Sequence, residues 1–209
     1  MEDSTAGWSS LLVSGTKGDG FWIGDEMGSN EFILVAKFYT KRVLNAEAIA
    51  QNFTQLWRSR NGFKIKDVGD HIVLFIFDSK LEADRVIDSQ PWSFDKHLVA
   101  IQHYEKRMPV RELCFDHIPF WVQVYDIPIR FMNRVVVEGI CFGIGEVCTT
   151  KNSVMEGGDF MRIRVIIDIS KPLCRGQKIS MDDGSNGWVS FKYERLPNIC
   201  YWCGCLTHS

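Results

Sequence analysis

Between Phe32 and Tyr104 the apolar residues fall into six blocks, and the order of those blocks most limits how the chain can fold. FILVAKFY (32–39) is a continuous apolar run of the length of a buried strand. Asn45 then stands where a helix cap is needed, ahead of Ile49, Phe53, Leu56 and Trp57 at the i, i+4, i+7, i+8 spacing of one helical face. A turn at Asn61-Gly62 leads into GFKIKDV and a second at Gly69-Asp70 into HIVLFIF, two runs with the spacing of a hairpin. Asp78 or Ser79 can cap a second helix with Ala83, Val86 and Ile87 inward, and this helix must stop before Pro91, whose ring cannot continue it. HLVAIQHY (97–104) supplies a last strand. The order is β-α-β-β-α-β, the split βαβ arrangement.

Beyond this unit (31–104) the segment 105–116 is charged, contains a proline and predicts a linker. FWVQVYDIP is strand-like, and 131–142 predicts a helix against the β-branched run Val135, Val136, Val137. FMRIRVIID (160–168) puts Met161, Ile163, Val165 and Ile167 on one face and Arg162 and Arg164 on the other. WVSFKYER (188–195) likewise turns Val189, Phe191 and Tyr193 inward. The fold class predicted is therefore α+β: a ferredoxin-like split βαβ domain, a smaller α+β unit over 117–197, and a cysteine tail over 198–209. Residues 1–30, with glycines scattered among acids and serines, predict a loosely structured lead-in. Trp57, Trp92 and Trp121 fall at helix or strand positions and are predicted to be core.

Charge and composition narrow the function. The net charge of -2 argues against a globally basic polyanion binder, although the acids concentrate before Phe32 and leave the remainder mildly basic. Seven cysteines, an odd number and scattered except at the end, favour a reducing compartment, so nucleus or cytoplasm is expected. No apolar run approaches the eighteen or so residues that cross a bilayer, and no membrane partner is expected. No paired acids, nucleophile elbow or H-E-x-x-H motif occurs, so neither catalysis nor a small-molecule substrate is expected.

The tail NICYWCGCLTHS places Cys200, Cys203 and His208 at C-x2-C-x4-H. Two thiolates two residues apart clamp one Zn²⁺, and a histidine four residues on can close the loop. Spacing alone leaves both a metal site and a chance cluster open. Cys205 would fit a tetrahedral clamp poorly with a single residue between it and Cys203.

The segments PWSFDKHL, FWVQVYDIPIRFM, ISKPLCRGQKI and WVSFKYERLPNICYWCG, taken in order, resemble a plant family, domain of unknown function 4283. It is found upstream of a CCHC zinc knuckle in first-open-reading-frame proteins of LINE-type retrotransposons and in derived host genes. The resemblance implies a fold like that of an RNA-recognition motif, a zinc knuckle and a nucleic-acid-binding role with RNA favoured. It also implies a fourth ligand, a cysteine beyond Ser209, so the knuckle is read as truncated and Zn²⁺ as weakly held. A knuckle usually has glycine before its histidine; Thr207 stands here.

One departure carries a structural expectation. RNA-recognition motifs stack bases on aromatics of the third strand, whereas alternation here puts Ile72, Leu74 and Ile76 on that face. An aliphatic face of this kind should be covered, by the second half of the chain or by a partner. Base stacking then falls to Tyr201 and Trp202, and phosphate contact to Arg162, Arg164, Lys192 and Arg195; the alternative for these cations is a solvated strand face paired with Asp159, Asp168 and Glu194. The function expected is non-catalytic binding of single-stranded nucleic acid. The alternative is a protein-interaction or structural module whose nucleic-acid-binding face has degenerated, with a protein partner or self-association in place of nucleic acid.

Overall fold

The computed structural model describes residues 31–106, 108–149 and 154–208; the predicted lead-in, 1–30, lies outside them. The first half comprises β1 (Phe32–Phe38), α1 (Ala46–Trp57), β2 (Lys64–Gly69), β3 (Ile72–Phe77), α2 (Lys80–Asp88), β4 (Trp92–Phe94) and β5 (His97–His103). Its strands form one antiparallel sheet in the order β2-β3-β1-β5-β4. Asn45 caps α1 as its position predicts, its side-chain oxygen accepting from the amides of Glu47 and Ala48 at 2.9 and 3.1 Å. Ile49, Phe53 and Trp57 are buried, but Leu56 is exposed. At 100° per residue the buried arc centres on Phe53, and Leu56 lies roughly 60° off that centre. Strand β4 is a short addition; Asp95 and Lys96, both with positive φ, make the two-residue turn into β5 without the usual Asn-Gly signature.

Both helices cover one face of this sheet, where Leu34, Ala36, Phe38, Val73, Phe75 and Phe77 pack against Phe53 and Trp57. The opposite face carries Ile33, Val35, Ile72 and Leu74, all buried, with Ile76 partly so. That face is covered, and the cover is chiefly the connecting segment itself, through Tyr104, Val110, Leu113 and Phe115. Polar bonds pin it: the Tyr39 hydroxyl donates to the Phe115 carbonyl at 3.3 Å and the Gln102 amide to the Cys114 carbonyl at 3.2 Å. The predicted linker is thus a lid, because an aliphatic sheet face left in water would be costly. The second half contributes on the β5 side, where Leu98 and Ala100 belong to its core.

That second half runs β6 (His117–Tyr125), α3 (Arg134–Cys141), β7 (Glu146–Val147), β8 (Val154–Glu156), β9 (Phe160–Asp168), β10 (Gly176–Ser180) and β11 (Asn186–Tyr193). Its antiparallel sheet has the order β10-β11-β6-β9-β7, with β8 also paired to β9. With six strands against five, this sheet is the larger of the two, contrary to the sequence expectation of a smaller unit. The strands beyond those read from the sequence, β7, β8 and β10, are two, three and five residues long and too short to leave a periodic signal. The Asn133 side chain caps α3, and of the three valines Val137 is buried while Val135 faces solvent. The inner face, built from Phe120, Val122, Val124, Ile163, Val165 and Val189, packs on Val137, Ile140 and Cys141. Burial there pushes the Cys141 thiol up to about 12, so it stays protonated.

Candidate metal centre and nucleic-acid interface

The cysteine tail leaves β11 and docks back on the protein. The Asn198 amide donates to the Lys96 carbonyl at 2.7 Å, and the Leu173 amide to the Gly204 carbonyl at 3.0 Å. Gly204 has φ +77° and approaches Pro172, so it supplies the left-handed turn that a side chain would strain. This fold-back brings the ligand atoms of Cys200, Cys203 and His208 within 4.8 Å of one another, with Cys203 Sγ 3.1 Å from His208 Nε2. Bond lengths of about 2.3 Å to sulfur and 2.0 Å to nitrogen place tetrahedral ligand atoms about 3.5–3.8 Å apart, so the group fits zinc with a small adjustment. Backbone amides of Cys203 and Trp202 hold the Cys200 thiol below its usual pKa, which favours the thiolate that binds metal. His208 Nδ1 lies 3.4 Å from the Thr207 hydroxyl, leaving Nε2 as the nitrogen facing the cysteines. Cys205 turns the other way; it is buried beside Leu206, with its sulfur toward the Ser170 carbonyl.

Tyr201 and Trp202, between the two ligand cysteines, are 94% and 97% exposed. Both rings face solvent. Beside the knuckle a cleft of about 180 Å³ is lined by Lys37, Lys41, His71, Thr207 and His208, which joins the end of β1 to the metal-ligand group.

The predicted phosphate contacts divide. Arg162, Arg164 and Lys192 project from the outer face of the second sheet, as alternation requires, and Arg195 follows β11 with its guanidinium donating to the Ser89 carbonyl at 2.9 Å. Arg162 is engaged: it donates two bonds of 2.7 Å to Glu194 and lies 3.9 Å over the Trp121 ring. The Arg162 fork holds the Glu194 carboxyl below the usual carboxylate range. Pairing with Glu194 was the alternative weighed for these cations, and it describes Arg162. Arg164 stacks on the same ring at 5.5 Å and Lys192 on Tyr125 at 3.9 Å. Trp121 is therefore not core, contrary to its prediction; it lies half-buried beneath two guanidinium groups. Alternation already carried that signal, since Trp121 and Tyr125 have the opposite parity to the buried Val122 and Val124.

An α+β protein of two antiparallel sheets and three helices among the described residues, ending in a Cys-Cys-His group, is the class these features define. Residues 26–111 match the family model described as a domain of unknown function, DUF4283, and residues 167–209 match that of a zinc knuckle. The two matches fall in the order that the sequence resemblance implies. An uncharacterized protein of Arabidopsis thaliana, At4g02000, is 28% identical over 125 residues. That alignment covers 59% of this chain and 39% of the relative, so the chain spans well under half of the relative's length. No solved structure matches. No helix among the described residues is long and apolar enough to cross a membrane.

Proposed function

We propose that the protein is a non-catalytic binder of single-stranded nucleic acid, RNA favoured, that engages bases at its zinc knuckle. The observation that carries this reading is the pair Tyr201 and Trp202, fully exposed on the short loop between the two metal-ligating cysteines. Solvent-facing rings on a zinc-braced loop suit stacking on unpaired bases, worth about 1–3 kcal/mol per base. Zinc bound by Cys200, Cys203 and His208 supplies the cross-link that fixes that loop. Arg164, Lys192 and Arg195 supply phosphate attraction, with Arg162 bracing the face through Glu194. The strand order β2-β3-β1-β5 is that of an RNA-recognition motif, and the lid over its open face explains why base contact moves to the knuckle. The pairing of this domain with a knuckle supports descent from a LINE-type element.

The test is fluorescence anisotropy of labelled single-stranded RNA and DNA over a salt series, with zinc supplied or chelated. Wild type should bind weakly, with a slope of log affinity against log salt of about -0.7 per phosphate neutralised. Trp202→Ala should weaken binding about fivefold or more and leave the slope unchanged. Chelation should act in the same direction. No binding at low salt by the folded, zinc-supplied chain would overturn the proposal.

A further inference from the structure

The outer face of the second sheet is formed by β6 and β9, which lie mostly between the two family-matched segments, and by β10 and β11, which lie within the second. On its inner side every second residue of β6 and β9, and Val189 and Phe191 of β11, are apolar and buried, while the intervening residues stay in contact with solvent. Those intervening positions carry four aromatic rings: Trp121, Tyr125, Phe160 and Trp188. Register sets Tyr125 opposite Phe160, with ring centroids 5.0 Å apart, and Trp121 opposite Arg164.

Two of the rings rest on glycine. A side chain at Gly176 would enter the Trp188 indole, with contacts at 2.7 and 2.8 Å, and one at Gly157 would enter the Phe160 ring at 2.3 Å. Both rings therefore lie against the backbone at these glycines, and Trp188 is 57% exposed. A large indole held against backbone yet left in water is a stacking surface whose ordering cost is already met in the free protein.

Charge selects the occupant. Lys192 sits over Tyr125, Arg164 beside Trp121, and Lys178 opposite Trp188. Of the acids at outward positions, Glu194 is taken up by Arg162 and Asp168 by Lys171, Glu146 lies on the short strand β7 opposite Ile166, and Asp126 at the edge accepts from Ser190. Diagonal neighbours across two strands are separated by roughly 7–8 Å, about twice the 3.4 Å rise per base of a duplex strand. Bases meeting these rings must be splayed, as only a single strand allows.

We propose that this face is a second stacking platform for unpaired bases of a single-stranded nucleic acid, with Trp188, Tyr125 and Phe160 as the rings and Lys192 and Arg164 as phosphate contacts. It rests on the nucleic-acid-binding reading above and extends it from the knuckle to the sheet. The experiment photocrosslinks a 4-thiouridine-substituted 12-nucleotide RNA to the zinc-supplied full chain and maps the adducts by mass spectrometry. Affinities of Trp188→Ala, Tyr125→Leu and Trp202→Ala are measured alongside, and thermal unfolding confirms that each variant folds. Adducts on β6 and β11 are expected, with a loss of roughly tenfold for Trp188→Ala, whose exposed ring makes its removal mild for the fold. Adducts confined to residues 200–203, with Trp188→Ala and Tyr125→Leu binding as wild type, would overturn the platform and leave the knuckle reading standing. Adducts on the sheet with Trp202→Ala unaffected would sustain the platform and sink the knuckle. Absence of both adducts and binding would overturn the two together.

Discussion

The contact between Arg162 and Glu194 shows how one residue pair organises a surface. Two parallel bonds of 2.7 Å from a planar fork fix the guanidinium over Trp121, which in turn sets where Arg164 can lie. Removing the carboxylate charge should loosen this array. The folded-state pKa of Glu194 lies below its ordinary value of about 4.3, so its stabilisation is fully present above that pH and is lost as pH falls through the folded-state value. Glu194→Gln should therefore cost about 1 kcal/mol at pH 7, a modest sum because the pair is part-exposed. The gap to wild type in urea-unfolding midpoints should shrink toward pH 3. A gap unchanged between pH 7 and pH 3 would show that the charge is not what Arg162 holds.

At the scale of elements, the segment 104–115 is the least orthodox part of the molecule. It has one short 3-10 turn, Val110–Glu112, yet it carries the side chains that shield the aliphatic face of the first sheet. Phe115 packs against both that cluster and the second core, so it ties lid to sheet and half to half. Phe115→Ala should lower stability by about 2 kcal/mol, short of a fully buried ring because Phe115 is only partly buried, and should raise binding of a hydrophobic dye. A change below about 0.5 kcal/mol with no gain in dye binding would mean the lid is held by other contacts. The regular elements were legible in the sequence because each has a period: the cap at Asn45, the hairpin of β2 and β3, and the alternation of β9 all stand as read. The lid was not legible because its apolar residues, Tyr104, Val110, Leu113 and Phe115, follow neither period and are spaced by the shape of the surface they cover.

For the whole molecule, the shared residues make one consequence unavoidable. Leu98 and Ala100 of the first sheet, Phe115 of the lid and Leu206 of the knuckle all join the core of the second half. We therefore expect the two sheets to unfold together: urea transitions followed through Trp57 alone and through Trp121 alone, in variants lacking the other tryptophans, should coincide. Separated midpoints would mean that the halves are independent. The sequence by itself determined the longer strands and the helices of both halves, the C-x2-C-x4-H spacing of Cys200, Cys203 and His208, and the parity that sends Arg162, Arg164 and Lys192 to one face, because local periodicity and spacing act over a few residues. Only the tertiary structure decided that the apparent linker is a lid, that Arg162 is committed to Glu194, and that four aromatics share an open face with the cations. Those facts join residues tens of positions apart, and a linear pattern gives the direction in which a side chain points but not what it meets there.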